Sequence, residues 1–151
     1  MPRPERLEDL PMLGRPSALG QVLGALCFVA ALTPSMVPRD ELLQGVVAGL
    51  GFAIGYGLGV AITWAARLLE LLPQNDTARD KANLWPTAIA IACIGYGLVN
   101  AADWQNGIRA VMQLDPVESF RPLVIALVAA VVALTLTLLG RIFRRAWIIL
   151  A

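Results

Sequence analysis

Histidine is absent from this chain. The usual proton shuttle at neutral pH and the commonest metal ligand go with it, and a Ser-His-Asp set cannot be assembled. Cysteine occurs only at Cys27 and Cys93, both inside apolar runs and not in a Cys-x-x-Cys pair, so neither a redox motif nor a thiolate metal site is legible. Charge is scarce: 15% of residues are charged, against roughly 25% in soluble domains. The net charge of +1 leaves no basic face dense enough for nucleic acid. No Gly-x-Ser-x-Gly elbow appears. These residues read as no enzyme, with no catalytic, cofactor-binding or metal-binding residue and no cofactor expected.

What fills the chain instead is apolar. Residues of that class make up 58%, and mean hydropathy is positive. The expectation is an all-α polytopic membrane protein, a four-transmembrane-helix bundle whose first partner is the lipid bilayer. Residues 1–16 hold four prolines among mixed charges and read as a cytoplasmic N-terminal tail. A cleaved signal peptide fits them poorly, because the charged region is half acidic and no small-residue cleavage site follows. The membrane domain runs over 17–145, with spans at about 17–33, 42–69, 84–102 and 122–139. Residues 103–121 read as the longest connection, with a surface helix starting near Asp115-Pro116-Val117-Glu118. Thr77 to Asp80 has the spacing of a capping box. Residues 146–151 form an apolar C-terminal end that looks cut off or lies along the surface.

The chain turns on residues 31–60. Pro34 and Pro38 lack an N–H and push their preceding residues out of the α region, so Thr33 to Arg39 cannot stay helical. Pro38 suits a first helical position, with Asp40 and Glu41 in a first turn that favours negative charge. The run from Val46 to Ala66 carries no charge and is long enough to cross a layer roughly 30 Å thick. Along it Gly51, Gly55 and Gly59 repeat every four residues, and Gly45 and Gly49 do so one face over. Such spacing lets helix backbones approach closely in lipid.

This stretch carries a resemblance. Thr33-Pro34-Ser35-Met36-Val37-Pro38-Arg39, then a helix with Gln44-Gly45 and Gly55-Tyr56, is similar to the N-terminal membrane region of a bacterial α/β-hydrolase family. The match is dense over 31–60 and looser elsewhere. The resemblance implies an N-terminal module that anchors and positions a hydrolase domain lying beyond residue 151. It also implies the bacterial cytoplasmic membrane as the site. From the residues themselves, an alternative function stays open: a small transporter or channel subunit working as a homo-oligomer, or an assembly factor.

Counting Lys and Arg by side orients the spans. Arg3, Arg6, Arg15, Arg67, Arg79, Lys81, Arg141, Arg144 and Arg145 fall on one side, and Arg39, Arg109 and Arg121 on the other. The richer side is the cytoplasmic one, so both termini are placed there. Trp64, Trp85 and Trp147 fall near inner boundaries and Trp104 near an outer one.

Two candidate groups follow. Thr33, Pro34, Ser35, Pro38 and Arg39 could contact an anion or lipid headgroup at the outer surface, or form a rigid turn. Gly51, Gly55, Tyr56 and Gly59 on the second span and Gly95, Tyr96 and Gly97 on the third are assigned to helix packing. Gly-Tyr-Gly occurs in both, as in ion-selectivity filters, but each copy lies mid-helix in an apolar run. The expectation is a tight hairpin of spans two and three through these glycines, with the two tyrosines level.

Overall fold

The computed structural model describes residues 17–33, 40–71, 84–115 and 122–150, apart from the side chains of residues 108, 144, 145 and 147–150. The N-terminal tail, the capping box at 77–80 and residues 116–118 of the expected surface-helix start lie outside them. The described residues form four helices: α1 (Ala18–Leu32), α2 (Glu41–Leu68), α3 (Leu84–Val111) and α4 (Pro122–Leu150). There is no strand among them. Three helices are long and apolar enough to cross a membrane: α2, α3 and the Pro122–Phe143 part of α4. With 15 residues, α1 reaches about 22 Å at 1.5 Å per residue, short of a hydrocarbon layer of roughly 30 Å.

The helix ends have local causes. The Ser17 hydroxyl caps α1 by accepting from the Gly20 N–H at 3.3 Å. The Asp40 carboxylate caps α2, accepting from the Leu43 N–H at 2.8 Å. The helix therefore starts at Glu41, not at the expected Pro38, because Asp40 in an extended conformation supplies the first-turn acceptor. The third helix does not stop at Ala102. Asp103 to Ala110 holds no proline, and the helix runs on to Val111 where a connection was expected.

Both α2 and α3 end in the same turn. Glu70 and Gln113 each take φ 55°. The Leu71 N–H donates to the Ala66 carbonyl and the Leu114 N–H to the Arg109 carbonyl, each at 2.9 Å. Glycine is the usual residue at this left-handed position, and a Cβ there costs roughly 1 kcal/mol. Glu70→Gly and Gln113→Gly are each expected to raise stability by about 1 kcal/mol. The readout is the melting temperature in detergent, and a value at or below wild type would show that these turns are not strained.

The packing order differs from the chain order: α1 lies between α2 and α3, α2 lies between α1 and α4, and α3 meets α4 only marginally. Directions follow from the contacts. Along α1, Ser17 pairs with Thr63, and Ala31 is met by Gln44, so α1 and α2 run antiparallel. Gln21 meets Thr87, and Val29 meets Gly97, so α1 and α3 run parallel. Gly45 faces Val128, and Gly49 faces Ala129 and Val132, so α2 and α4 run parallel. The helices thus alternate in direction along the chain. The core gathers where α1 ends: Phe28, Leu32, Ala48, Ala101, Ile125 and Ala129 are buried together.

The expected α2–α3 hairpin is corrected by this arrangement, because α1 occupies the place assigned to α3. A Cβ on Gly51 would lie 2.9 Å from the Cys27 carbonyl, one on Gly55 2.5 Å from the Leu23 carbonyl, and one on Gly59 2.5 Å from the Gly20 Cα. These three glycines are the track on which α1 rests. Gly97 also faces α1, whereas a Cβ on Gly95 would meet nothing within 4 Å. The tyrosines are not level. Tyr56 stands beside Gly20, and Gly97, the neighbour of Tyr96, stands beside Val29; that separates the two by about 12 Å in depth. Tyr56 and Tyr96 each lie eleven residues from a boundary residue, Arg67 and Trp85, which suggested equal depth; but α2 continues past Thr63, which is level with the start of α1.

Candidate functional site

The Thr-Pro-Ser motif begins where α1 stops. A helix leaves its last carbonyls without intrahelical donors. Pro34 deepens the deficit, because it has no N–H to offer the Ala30 carbonyl four residues earlier. Thr33 makes it good: its hydroxyl and its N–H both donate to the Ala30 carbonyl, and its N–H also reaches the Val29 carbonyl at 3.2 Å. The next carbonyl, Ala31, accepts from the Gln44 side-chain amide at 2.9 Å. Gln44 is the one buried polar side chain among the described residues, with 3% of its surface exposed.

The spacing of the motif thereby acquires a physical reason. Thr33 serves one orphan carbonyl from its own strand of chain. Gln44 crosses from the first turn of α2 to serve the next. Gly45 beside it lets α4 approach, since a Cβ there would lie 2.7 Å from the Val128 Cβ. Gln44 was not among the candidate residues, although its Gln-Gly pair carried part of the resemblance. The signal that could have found it is a lone amide in an apolar helix, opposite a proline-broken one.

Pro34, Ser35, Pro38 and Arg39 of the candidate headgroup contact lie outside the described residues. Of the rest, Thr33 is exposed and occupied with α1. The α2 N-terminus, whose backbone donors would serve an anion, is filled by the Asp40 carboxylate and flanked by Glu41.

A second polar group lies at the opposite end of α1. The Tyr56 hydroxyl accepts from the Ser17 N–H at 3.3 Å, and the Ser17 and Thr63 hydroxyls lie 3.4 Å apart. One turn further, the Thr87 hydroxyl donates to the Gln21 side-chain carbonyl at 2.7 Å. These bonds tie α1 to both its neighbours at one depth. Tyr56 also stacks on Phe52 with ring centres 6.3 Å apart. Tyr96 is different: the residue is 63% exposed, and its ring packs edge-to-face with Trp104, ring centres 6.2 Å apart.

Among the described residues, no buried side-chain nitrogen or oxygen lacks a hydrogen-bond partner. No cluster of three His, Cys, Asp or Glu is placed to hold a metal ion. Polar atoms appear at the two ends of α1 and apolar surface between them, as a chain needs when it satisfies its backbone internally.

These features define an all-helical domain of membrane type, with three helices able to span by length and composition. Residues 32–151 match the family described as the α/β-hydrolase family N-terminus, and the chain belongs to that family. No curated protein and no solved structure matches it.

Proposed function

We propose that this chain is a membrane-embedded N-terminal module that anchors and positions an α/β-hydrolase domain and performs no chemistry itself. In this reading α1 crosses as a fourth, short span, both termini are cytoplasmic, and the membrane is the bacterial inner one. The observation that supports four crossings most directly is the alternation of helix direction. The short α1 lies antiparallel to α2 and parallel to α3, with its polar ends matched by Thr63 and Gln44. The lysine and arginine distribution supports the orientation. The family assignment supports the hydrolase partner.

The test is topology. Single cysteines at exposed Leu69 and Leu114, in a background lacking Cys27 and Cys93, are labelled in intact cells with a membrane-impermeant maleimide. Leu114 is expected to react from outside and Leu69 only after the membrane is opened. Reaction of both from outside, or of Leu69 alone, overturns the orientation. A chain that stays monodisperse in plain buffer overturns the membrane reading altogether.

A further inference from the structure

We infer that the face of α3 formed by Tyr96, Asn100, Asp103 and Trp104 binds the ammonium headgroup of one ethanolamine phospholipid. The site rests on the membrane reading above and goes beyond it by naming a ligand.

The four residues share one side of the helix. They stand at positions i, i+4, i+7 and i+8, which fall within roughly 100° of one another at 3.6 residues per turn. The side turned to the core carries Ala90, Gly97 and Ala101 instead, all buried. Tyr96 and Asp103 are exposed, and Asn100 and Trp104 are half-buried. Their level is that of a headgroup. Gly97 meets Val29 and Leu32 in the last turn of α1. Tyr96 therefore stands at that turn, and the other three follow within about two turns, at the end where Thr33 and the Asp40 cap lie.

Every group on this face attracts a cation. The Tyr96 and Trp104 rings meet at 64° with centres 6.2 Å apart, so they form a corner and not a stack. The face of such a ring attracts an ammonium. Between them, the Asn100 side-chain nitrogen donates to the Tyr96 carbonyl at 2.8 Å, which leaves its oxygen as an acceptor. The Asp103 carboxylate has no partner among the described residues. The one cation of α3, Arg109, lies six positions past Asp103 on another face, and its Nε donates to the Asp115 carbonyl at 2.9 Å. An interfacial aromatic belt needs the rings alone. An amide oxygen and a carboxylate beside them call for a cation that also donates hydrogen bonds. An ethanolamine headgroup has N–H donors and a choline headgroup has none. A glycerol headgroup carries no cation at all.

The whole chain is purified in mild detergent and offered phosphatidylethanolamine, phosphatidylcholine or phosphatidylglycerol, and bound lipid is counted by native mass spectrometry. Phosphatidylethanolamine is expected to be retained about fivefold better than phosphatidylglycerol, the weight of one ammonium on an exposed aromatic face, with phosphatidylcholine below it. Asp103→Asn and Trp104→Leu should each bring it down to the phosphatidylglycerol level. Asp103 is exposed, so its replacement tests the site without disturbing the packing. Equal retention of the ethanolamine and glycerol lipids, choline lipid held as well as ethanolamine lipid, or an unchanged preference in either variant overturns the site. Displacement of the lipid by millimolar ethanolamine would assign the face to a free amine and overturn it as well. The maleimide result is independent of all these outcomes, so the two proposals fail separately.

Discussion

Leucine at Gly59 is expected to separate α1 from α2, whereas leucine at Gly95 leaves the fold intact. A Cβ on Gly59 would lie 2.5 Å from the Gly20 Cα and 2.6 Å from the Gly20 nitrogen. Backbone stands on both sides of that contact, so no side chain can rotate away. Overpacking a core by extra methylenes costs about 1–3 kcal/mol when neighbours can shift. Here the helices themselves must part, which puts Gly59→Leu at the upper end. For a chain of this size that corresponds to a fall of roughly 10 °C in melting temperature. Gly55→Leu should behave alike, given 2.5 Å to the Leu23 carbonyl and 2.8 Å to the Cys27 Sγ. Gly95 has open space, and its replacement removes a glycine from a helix interior. Thermal unfolding in detergent, followed by circular dichroism, compares the three. Equal melting of Gly59→Leu and Gly95→Leu would refute the assignment of α1 to the glycine track.

Gln44→Leu is the second large effect. The change keeps the shape of the side chain and removes the donor to the Ala31 carbonyl. A buried acceptor left without its partner costs about 1–3 kcal/mol. Thr33→Val removes a hydroxyl from the Ala30 carbonyl, which keeps the Thr33 N–H. Its cost is expected below about 1 kcal/mol. Denaturant unfolding in mixed micelles measures both. If Thr33→Val proves the more damaging, the amide bridge between α1 and α2 is not what holds this corner.

The sequence announced helices plainly and their neighbours poorly. Uncharged runs and proline breaks placed α2 and the start of α4 to within a few residues, because hydrocarbon tolerates few polar side chains, but α4 runs on to Leu150, past the expected end at 139, since no proline or glycine after Gly140 breaks it. Periodic glycines told that a helix must come close but not which one. Gly55-Tyr56-Gly57 and Gly95-Tyr96-Gly97 look alike in print; in the fold one glycine of the first copy meets α1, and Gly57 and Gly95 meet nothing. Repeated local composition carries no address. Polar partners were harder still. Gln21 with Thr87 spans 66 positions of chain, and only the packing of α3 on α1 brings them together. Thr33 was assigned to a headgroup contact or a rigid turn, although its partner, Ala30, lies only three residues away.

The shortness of α1 has a consequence for biosynthesis. Among the described helices it is the shortest, and on the four-span proposal it would be the worst matched to the bilayer. Its glycines and Gln21 weaken its own partitioning, and the hydroxyl that satisfies Gln21 is made 66 residues later. On the four-span proposal α1 could pair with the glycine track of α2 as soon as α2 is made, while Gln21 would wait for Thr87 until α3 follows.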